Sequence, residues 1–333
     1  MNLKAGSKYI GIAISAVTLL IFALIYGFGN LVRAISALPS TFYLFFLAAI
    51  SLHILSFVFW SLRIKLLSRS NGYKISFSKA FIAVISSLFA ASITPGYVGG
   101  EPVRIKKLTD YGEPVGTATA IALGERGFDS IFFVGIFAFV IMMGLEVLSG
   151  DLKLIAIIGV IMLVLFLFFL LASMGANTLM IRIKGWLERT ARRFDRKGKG
   201  YEDRLPKLFE HVETYASSTK EIFLKHPGAL VLGLAVTSLL WLSDFMVPAV
   251  LILGFGYPPN LIDVIFIQVL LVLISLLPVT PGSAGIMEVL MIATFSAFFP
   301  NGGIVAFVLI WRFITFYLNL IIGSLSLHFV VAK

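Results

Sequence analysis

No cysteine occurs in the 333 residues, so disulfide bonds and thiolate chemistry are excluded. Charge is scarce as well. Asp, Glu, Lys and Arg make up 13% of the chain, against about 25% in a soluble domain. The four histidines (His53, His211, His226 and His328) are scattered. None falls into HExxH or a similar ligand spacing, so neither a metal site nor a cofactor is expected. There is no phosphate-cradling GxxxxGK[ST] loop, which removes ATP as a direct energy source. There is no DxD motif of the kind that holds a metal-bound donor at a membrane edge. The apolar runs do not alternate with period two, which excludes a membrane β-barrel.

What remains is apolar. Hydrophobic residues are 59% of the chain and the mean hydropathy is +0.99. Several runs approach or exceed the roughly 20 residues that cross a bilayer core. The predicted class is an all-α polytopic membrane protein. The net charge of +10 and the pI near 9.7 then mark cytoplasmic loops and anionic lipid headgroups. Nucleic acid is not expected as a partner, and no RNA-binding motif is present.

The predicted spans are residues 9–28, 41–62, 116–143, 154–172, 229–253 and 304–330. Lys4 and Lys8 before the first run resemble the start of a signal sequence. The run is long enough to span, however, and lacks a convincing small-x-small cleavage site, so it is read as a retained first helix. The outer loop after it has Arg33 as its only basic residue. The stretch after residue 62 contains Arg63, Lys65, Arg69, Lys74 and Lys79 with no acid and is read as a cytoplasmic loop, which places both termini inside the cytoplasmic membrane. Residues 177–226 hold twelve basic and seven acidic residues and form the one long polar segment. Leu179, Ile183, Trp186, Leu187 and Phe194 have helical spacing there, as do Leu208, Val212, Tyr215, Thr219 and Phe223. Two helices lying along the inner interface are expected, separated near Gly198-Lys199-Gly200.

Two short stretches break this pattern. Ser92-Ile93-Thr94-Pro95-Gly96-Tyr97-Val98-Gly99-Gly100-Glu101 interrupts an apolar run with one Pro and three Gly. Thr280-Pro281-Gly282-Ser283-Ala284-Gly285, with Glu288 close behind, nearly copies it 186 residues later. The same offset relates Gly99 to Gly285, Pro114 to Pro300, Gly116 to Gly302 and Arg126 to Arg312, which predicts an internal duplication. The apolar limbs 80–92 and 261–277 are short, and the segment 99–112 behind the first turn is too charged to face lipid. A re-entrant helical hairpin at each turn fits, because irregular backbone at membrane depth is tolerated where protein or water surrounds it. The first hairpin enters from the cytoplasm and the second from outside. The predicted fold is a single membrane domain over 1–333, an inverted-topology internal repeat of 1–150 and 151–333. It has about six spans and two re-entrant hairpins, and such repeats place a binding site where broken elements meet near the midplane.

The candidate substrate-binding residues follow. Thr94, Gly96, Thr280 and Gly282 shape the turns, and helix starts at Gly99 and Gly285 would aim positive ends at an anionic group. The competing reading is that the turns only allow close helix packing. Glu125, Arg126 and Asp129 share a sector of one helix, and each charge at mid-membrane costs about 3 kcal/mol. They either line a polar cavity or pin their helix to the first hairpin through Glu101 or Arg104. Arg312 has no acid beside it in sequence; Glu288 or Asp244 is its expected partner, and if unpaired it suits a phosphate. Glu101 and Arg104 are assigned to a headgroup vestibule, and Lys106 and Lys107 to solvated surface. Asp244 is a weaker candidate, and His53, Gln268 and Asn319 are expected to be interhelical hydrogen-bonders.

Three ordered segments resemble a known family. Thr94-Pro95-Gly96-Tyr97-Val98-Gly99-Gly100-Glu101-Pro102-Val103-Arg104 is similar to the TPGxxGGDxxR signature of the lysylphosphatidylglycerol synthase transmembrane (flippase-like) family. Leu123-Gly124-Glu125-Arg126-Gly127-Phe128-Asp129 resembles its LxERxxD segment, and Leu277 to Glu288 its PxTPGGxGxxE segment. Glu101 replaces the commoner Asp and keeps the charge, while Ser283 replaces a frequent Gly. The resemblance implies lipid movement across a membrane. Two-domain family members append a soluble aminoacyl transferase domain. The chain ends at Lys333 without one, so a stand-alone member with no aminoacylation activity, and no catalytic residues, is expected. The leading expectation is a lipid flippase or transporter taking a phospholipid-like or polyprenyl-phosphate-linked lipid by its phosphate-bearing headgroup. The alternatives are a membrane-embedded transferase or an accessory protein acting on lipid-linked substrates in envelope assembly.

Overall fold

The computed structural model describes residues 28–36, 38–143, 150–175, 201–275, 280, 282–300 and 303–331. Among these residues there is no strand. The helices are α1 (Phe28–Ser36), α2 (Phe42–Ser70), α3 (Phe77–Ser92), α4 (Gly100–Asp110), α5 (Val115–Met143) and α6 (Gly150–Ser173), then α7 (Tyr201–Lys220), α8 (Pro227–Gly254), α9 (Leu261–Ser275), α10 (Ile286–Phe295), α11 (Ile304–Arg312) and α12 (Leu318–Val331). A π-helical segment, Phe313–Tyr317, joins α11 to α12, and another, Glu221–Lys225, follows α7. The expected first span before Phe28, the first amphipathic stripe at 179–194 and Pro281 lie outside the described residues.

Local sequence accounts for the ends of these elements. The Ser76 hydroxyl accepts the Lys79 N–H at 3.4 Å to start α3. Pro227 occupies the first turn of α8, where its missing N–H costs nothing. At the end of α4 the Glu113 N–H reaches back to the Leu108 carbonyl at 3.1 Å, and Gly112 takes φ of 101°, the left-handed exit that closes many helices.

Among the described residues, three helices are long and apolar enough to cross a membrane: Phe42–Ser70, Pro227–Gly254 and Ile304–Ser326. The 29 residues of α5 give a length of about 43 Å, but its first half carries Glu125, Arg126 and Asp129, of which Glu125 and Asp129 are buried. The exterior is apolar instead. Phe168 and Phe169 on α6 are 63% and 66% exposed, and Val231 on α8 is 68% exposed. Large apolar patches of this kind need a non-aqueous neighbour, so the fold is that of a helical membrane protein.

Two differences from the sequence reading concern boundaries. The stretch expected as an outer loop after Phe28 is helical up to Ser36, and α2 does not stop at residue 62 but continues to Ser70. The basic residues Arg63, Lys65 and Arg69 therefore lie on a helix rather than in a loop. Lys65 and Arg69 face outward on it, whereas Arg63 is buried.

A separate apolar core lies beside each turn. Phe57, Ile64 and Leu67 of α2 pack with Val84 and Leu88 of α3, Leu108 of α4, and Ile121 and Phe128 of α5. Val247 and Leu251 of α8 pack with Ile267 of α9, Met291 and Phe295 of α10, and Phe307 of α11. The first and last thirds of the chain meet where α2 lies along α8 and where α3 lies along α12. The helix α7 docks on α5: Thr117 and Ser218 hydroxyls sit 3.0 Å apart, and Phe128 stacks on Phe223 with centroids 5.3 Å apart.

The limbs on either side of the first turn fold back on one another. A Cβ on Gly100 would lie 3.1 Å from the Ala91 Cβ, and Arg104 on α4 reaches the Ser87 hydroxyl on α3 at 3.3 Å. With 16 residues in α3 and 11 in α4, these limbs measure about 24 and 16 Å, short of a bilayer core of about 30 Å. The limbs of the second turn, α9 and α10, have 15 and 10 residues and are as short.

Candidate functional site

The two turns share an unusual backbone. Gly96 and Gly282 have φ of 60° and 58°, and the residues that follow, Tyr97 and Ser283, have 59° and 52°. Two successive left-handed residues, the second not glycine, are uncommon, and they occur at equivalent positions of the two copies.

The turns also touch. The Gly282 N–H donates to the Thr94 carbonyl at 3.3 Å, and the Tyr97 hydroxyl donates to the Gly282 carbonyl at 3.1 Å. A Cβ on Gly282 would stand 2.6 Å from the Ser92 carbonyl oxygen and would strike the Phe316 ring. Glycine is required here both by φ and by the close approach.

The threonine hydroxyls are committed within their own turns. Thr94 Oγ1 accepts the Gly99 N–H at 2.8 Å and donates to the Ala90 carbonyl at 2.9 Å. Thr280 Oγ1 donates to the Ala284 carbonyl at 2.9 Å. The start of α10 is likewise filled, because Glu288 Oε2 accepts the Gly285 N–H at 2.7 Å. The positive helix end expected to face an anionic ligand at Gly285 is thus met by the chain's own carboxylate.

Behind the first turn lies a six-charge network. Glu125 on α5 accepts from Trp60 Nε1 at 2.6 Å and from Arg104 Nη1 at 2.7 Å, with Arg63 Nε at 3.4 Å. Asp129, one turn along, accepts from Arg63 Nη1 at 2.6 Å and from Trp241 Nε1 at 2.9 Å. Arg63 Nη1 also donates to Thr237 at 3.1 Å. The Arg104 guanidinium lies over the Trp60 ring, 4.6 Å from its centroid. Arg126 Nε donates to Glu101 Oε1 at 2.7 Å. Three arginines (Arg63, Arg104, Arg126) balance three carboxylates (Glu101, Glu125, Asp129), so the network is neutral, as a low-dielectric interior requires.

One pair of the six is open. The side chains of Arg126 and Glu101 are 31% and 14% exposed, whereas those of Arg63, Arg104 and Glu125 are at most 2% exposed. Arg126 Nη1 has Asp129 Oδ2 as an ionic neighbour at 3.9 Å, beyond hydrogen-bond length. Glu101 Oε2 makes no hydrogen bond. The accessible pair therefore presents a guanidinium face, while Glu101 Oε2 is buried behind it.

Behind the second turn there is a single enclosed pair. Arg312 Nε donates to Glu288 Oε1 at 2.7 Å, and the guanidinium lies 4.3 Å from the Phe316 ring centroid. Arg312 Nη2 reaches the Gly282 carbonyl at 3.5 Å. Both partners are buried. Arg312 is therefore paired in this conformation, not an unpaired cavity arginine, and of the two expected partners it takes Glu288. Asp244 pairs with His53 instead, Nδ1 to Oδ1 at 2.6 Å. Asn319 Oδ1 lies 3.0 Å from the other ring nitrogen of His53, so these two expected interhelical hydrogen-bonders bond to each other. Gln268 is buried, and its Nε2 has no hydrogen-bond partner.

Of the candidates named from sequence, Glu101, Arg104, Glu125, Arg126 and Asp129 converge in the first network. Thr280, Gly282, Glu288 and Arg312 gather at the second turn, and Thr94 and Gly96 lie at the crossing. The residues missed are Arg63, Trp60, Thr237 and Trp241. Arg63 was hidden by its place in a basic run, yet it lies in helical register with Ser56, Trp60 and Leu67, all on the inner side of α2.

A family model described as the lysylphosphatidylglycerol synthase TM region matches residues 9–323. A UPF0104 membrane protein of Archaeoglobus fulgidus is 31% identical over 319 residues, covering 95% of this chain and 96% of that protein. One of Methanocaldococcus jannaschii is 27% identical over 334 residues, covering 98% and 96%. One of Methanothermobacter thermautotrophicus is 26% identical over 291 residues, covering 86% and 84%. The match spans both turns, the acid–arginine pair behind each, and the helices that carry them, and the chain belongs to the lysylphosphatidylglycerol synthase transmembrane-region family.

Proposed function

We propose that the protein moves a lipid across the cytoplasmic membrane, taking its phosphate-bearing headgroup at the Arg126–Glu101 pair while the acyl or polyprenyl tails stay in the bilayer. The observation that carries this reading is the open ion pair beside the crossing of two broken elements. A guanidinium 31% exposed at membrane depth points to function, and its planar donors suit a phosphate.

The halves are read as an inverted repeat of re-entrant hairpins, with both termini cytoplasmic. The shared left-handed pair at positions 96–97 and 282–283 supports a duplication, and the short limbs support re-entry. In such a repeat one half rocks against the other. The present conformation exposes the first ion pair and encloses the second, the asymmetry expected of one end state of alternating access. The enclosed Arg312–Glu288 pair also favours the alternative of a non-transporting accessory protein, in which both turns serve packing.

Translocation of a fluorescent anionic phospholipid in proteoliposomes separates the two. Hydrogen bonds to charged groups are worth about 1.5–3 kcal/mol, so Arg126→Ala is expected to slow transport by about 10- to 100-fold. Arg312→Ala is expected to slow it as well, by removing the group that closes the second turn. Unchanged transport in both folded variants defeats the site assignment. No transport by the wild type favours the accessory reading.

A further inference from the structure

His53 lies twelve residues into the 29-residue α2, about 18 Å from its start and so deep in the span. An ionisable residue at that depth points to function and calls for a named partner. Here there are two, one on each ring nitrogen. Nδ1 faces Asp244 Oδ1 of α8 at 2.6 Å, and Nε2 faces Asn319 Oδ1 of α12 at 3.0 Å. The orientation of the Asn319 amide follows from its other bond: Nδ2 donates to the Thr315 carbonyl at 2.6 Å, so the oxygen must be the atom turned to the ring. Both neighbours of the imidazole are therefore acceptors. A neutral imidazole has one donor and one lone pair, and the lone pair would then confront an oxygen. With Asp244 ionised, the arrangement is satisfied only by the doubly protonated ring.

The surroundings add no competing charge. Asp244 is the ionisable group acting on His53 from the helices around it; α12 offers an amide, and α2 itself offers the Phe57 ring, 4.7 Å between centroids. The Asp244 side chain is 27% exposed while that of His53 is 5% exposed, so the carboxylate is the side from which a proton arrives or leaves. Asn319 follows the π-helical segment Phe313–Tyr317, which begins directly after Arg312. Such segments are frequent at functional sites. Losing the proton breaks one of the two ring contacts. If the Asn319 bond breaks, α12 is released from α2, and the freed segment is the one that holds Arg312 on the second turn.

We propose that His53 and Asp244 form a proton-binding site that couples lipid movement to a transmembrane proton gradient. The proposal rests on the transport reading above, and neither residue touches the headgroup pair. One proton exchanged per lipid supports about a tenfold leaflet asymmetry for a gradient of about one pH unit. The test measures leaflet distribution of the fluorescent lipid in proteoliposomes under an imposed pH gradient. The wild type is expected to accumulate lipid toward one leaflet. His53→Gln and Asp244→Asn are expected to move lipid without a gradient but to leave the leaflets even when one is applied. An even distribution with the wild type, or a variant that keeps the asymmetry, overturns the coupling while transport stands. No movement under any condition overturns both.

Nitrogen NMR of histidine-labelled wild-type and Asp244→Asn protein reads the site without relying on transport. A doubly protonated His53 at neutral pH, deprotonating at lower pH in Asp244→Asn, is expected. A ring carrying one proton from pH 5 to 8 in both proteins overturns the proposal.

Discussion

Replacing Arg63 with glutamine tests the balance of the buried network. Arg63 bridges α2, α5 and α8 through Asp129 at 2.6 Å, Thr237 at 3.1 Å and Glu125 at 3.4 Å. The substitution keeps much of the volume and removes one charge, taking the network from neutral to one negative charge. Glu125 keeps Arg104 and Trp60, but Asp129 is left with Trp241 as its one hydrogen-bond donor and Arg126 at 3.9 Å. Two estimates compete. If the contacts act as ordinary interhelical hydrogen bonds in a membrane, at about 0.6 kcal/mol each, three of them cost about 2 kcal/mol. If the charge left behind dominates, breaking a buried pair costs about 3–5 kcal/mol. The second is expected, because Asp129 is only 9% exposed at its side chain and water cannot take over. Unfolding free energy in bicelles, measured by steric trapping, distinguishes them. The double variant Arg63→Gln/Asp129→Asn restores neutrality and is expected to recover about half the loss. Lys65→Gln, two residues along on the outward face of α2, is expected to change stability by less than about 0.5 kcal/mol. A double variant no more stable than the single, or an Arg63→Gln loss no larger than that of Lys65→Gln, refutes the reasoning.

Three further substitutions probe the second turn and a buried carboxyl. Gly282→Ala combines a left-handed φ of 58° with a Cβ 2.6 Å from the Ser92 carbonyl; backbone strain of about 1–2 kcal/mol and overpacking of about 1–3 kcal/mol add. Gly72→Ala, at φ of 82° with open space around it, carries the strain alone, so equal losses in the same unfolding assay would remove the crowding from the argument. Burial pushes the Glu113 carboxyl above the usual carboxylate range, the nearby Ser68 hydroxyl pulling weakly the other way. Both Glu113 oxygens and that hydroxyl lack a hydrogen bond. With the folded pKa above the unfolded one, the stabilisation is full below the unfolded value and is lost as pH rises through the folded value. Glu113→Gln should flatten this part of the stability–pH curve measured by thermal unfolding, and an unchanged slope would refute the assignment.

What could be read from the sequence was local or periodic. The membrane class follows from composition, and both turns follow from Pro and Gly inside apolar runs. The acids behind the turns and the arginines that pair with them, Glu101 with Arg126 and Glu288 with Arg312, stand 25 and 24 residues apart in their copies. What could not be read depends on contacts between distant segments. Glu125 and Asp129 share a sector by spacing, but the arginines that neutralise them come from α2 and α4 and a further hydrogen-bond donor from α8, and nothing in the spacing selects those helices. Arg63 shows the conflict most clearly. A basic run after an apolar one satisfies the positive-inside rule, and that reading assigns all its members one role. Helical register divides them: Arg63 falls in line with Trp60 and Leu67, and Lys65 and Arg69 fall outside it.

The same division between local and distant effects bears on why the two copies differ. The contact between the turns is made largely by main-chain atoms, the Gly282 N–H and the Thr94 and Gly282 carbonyls, with Tyr97 as the side-chain donor. Such a joint needs a particular backbone but few particular side chains. Six balanced charges with one pair left open lie behind the first turn. Behind the second turn a closed pair lies next to a π-helical segment. The Gly282 carbonyl receives both Arg312 and Tyr97, so it links the buried ion pair behind the second turn directly to the first turn.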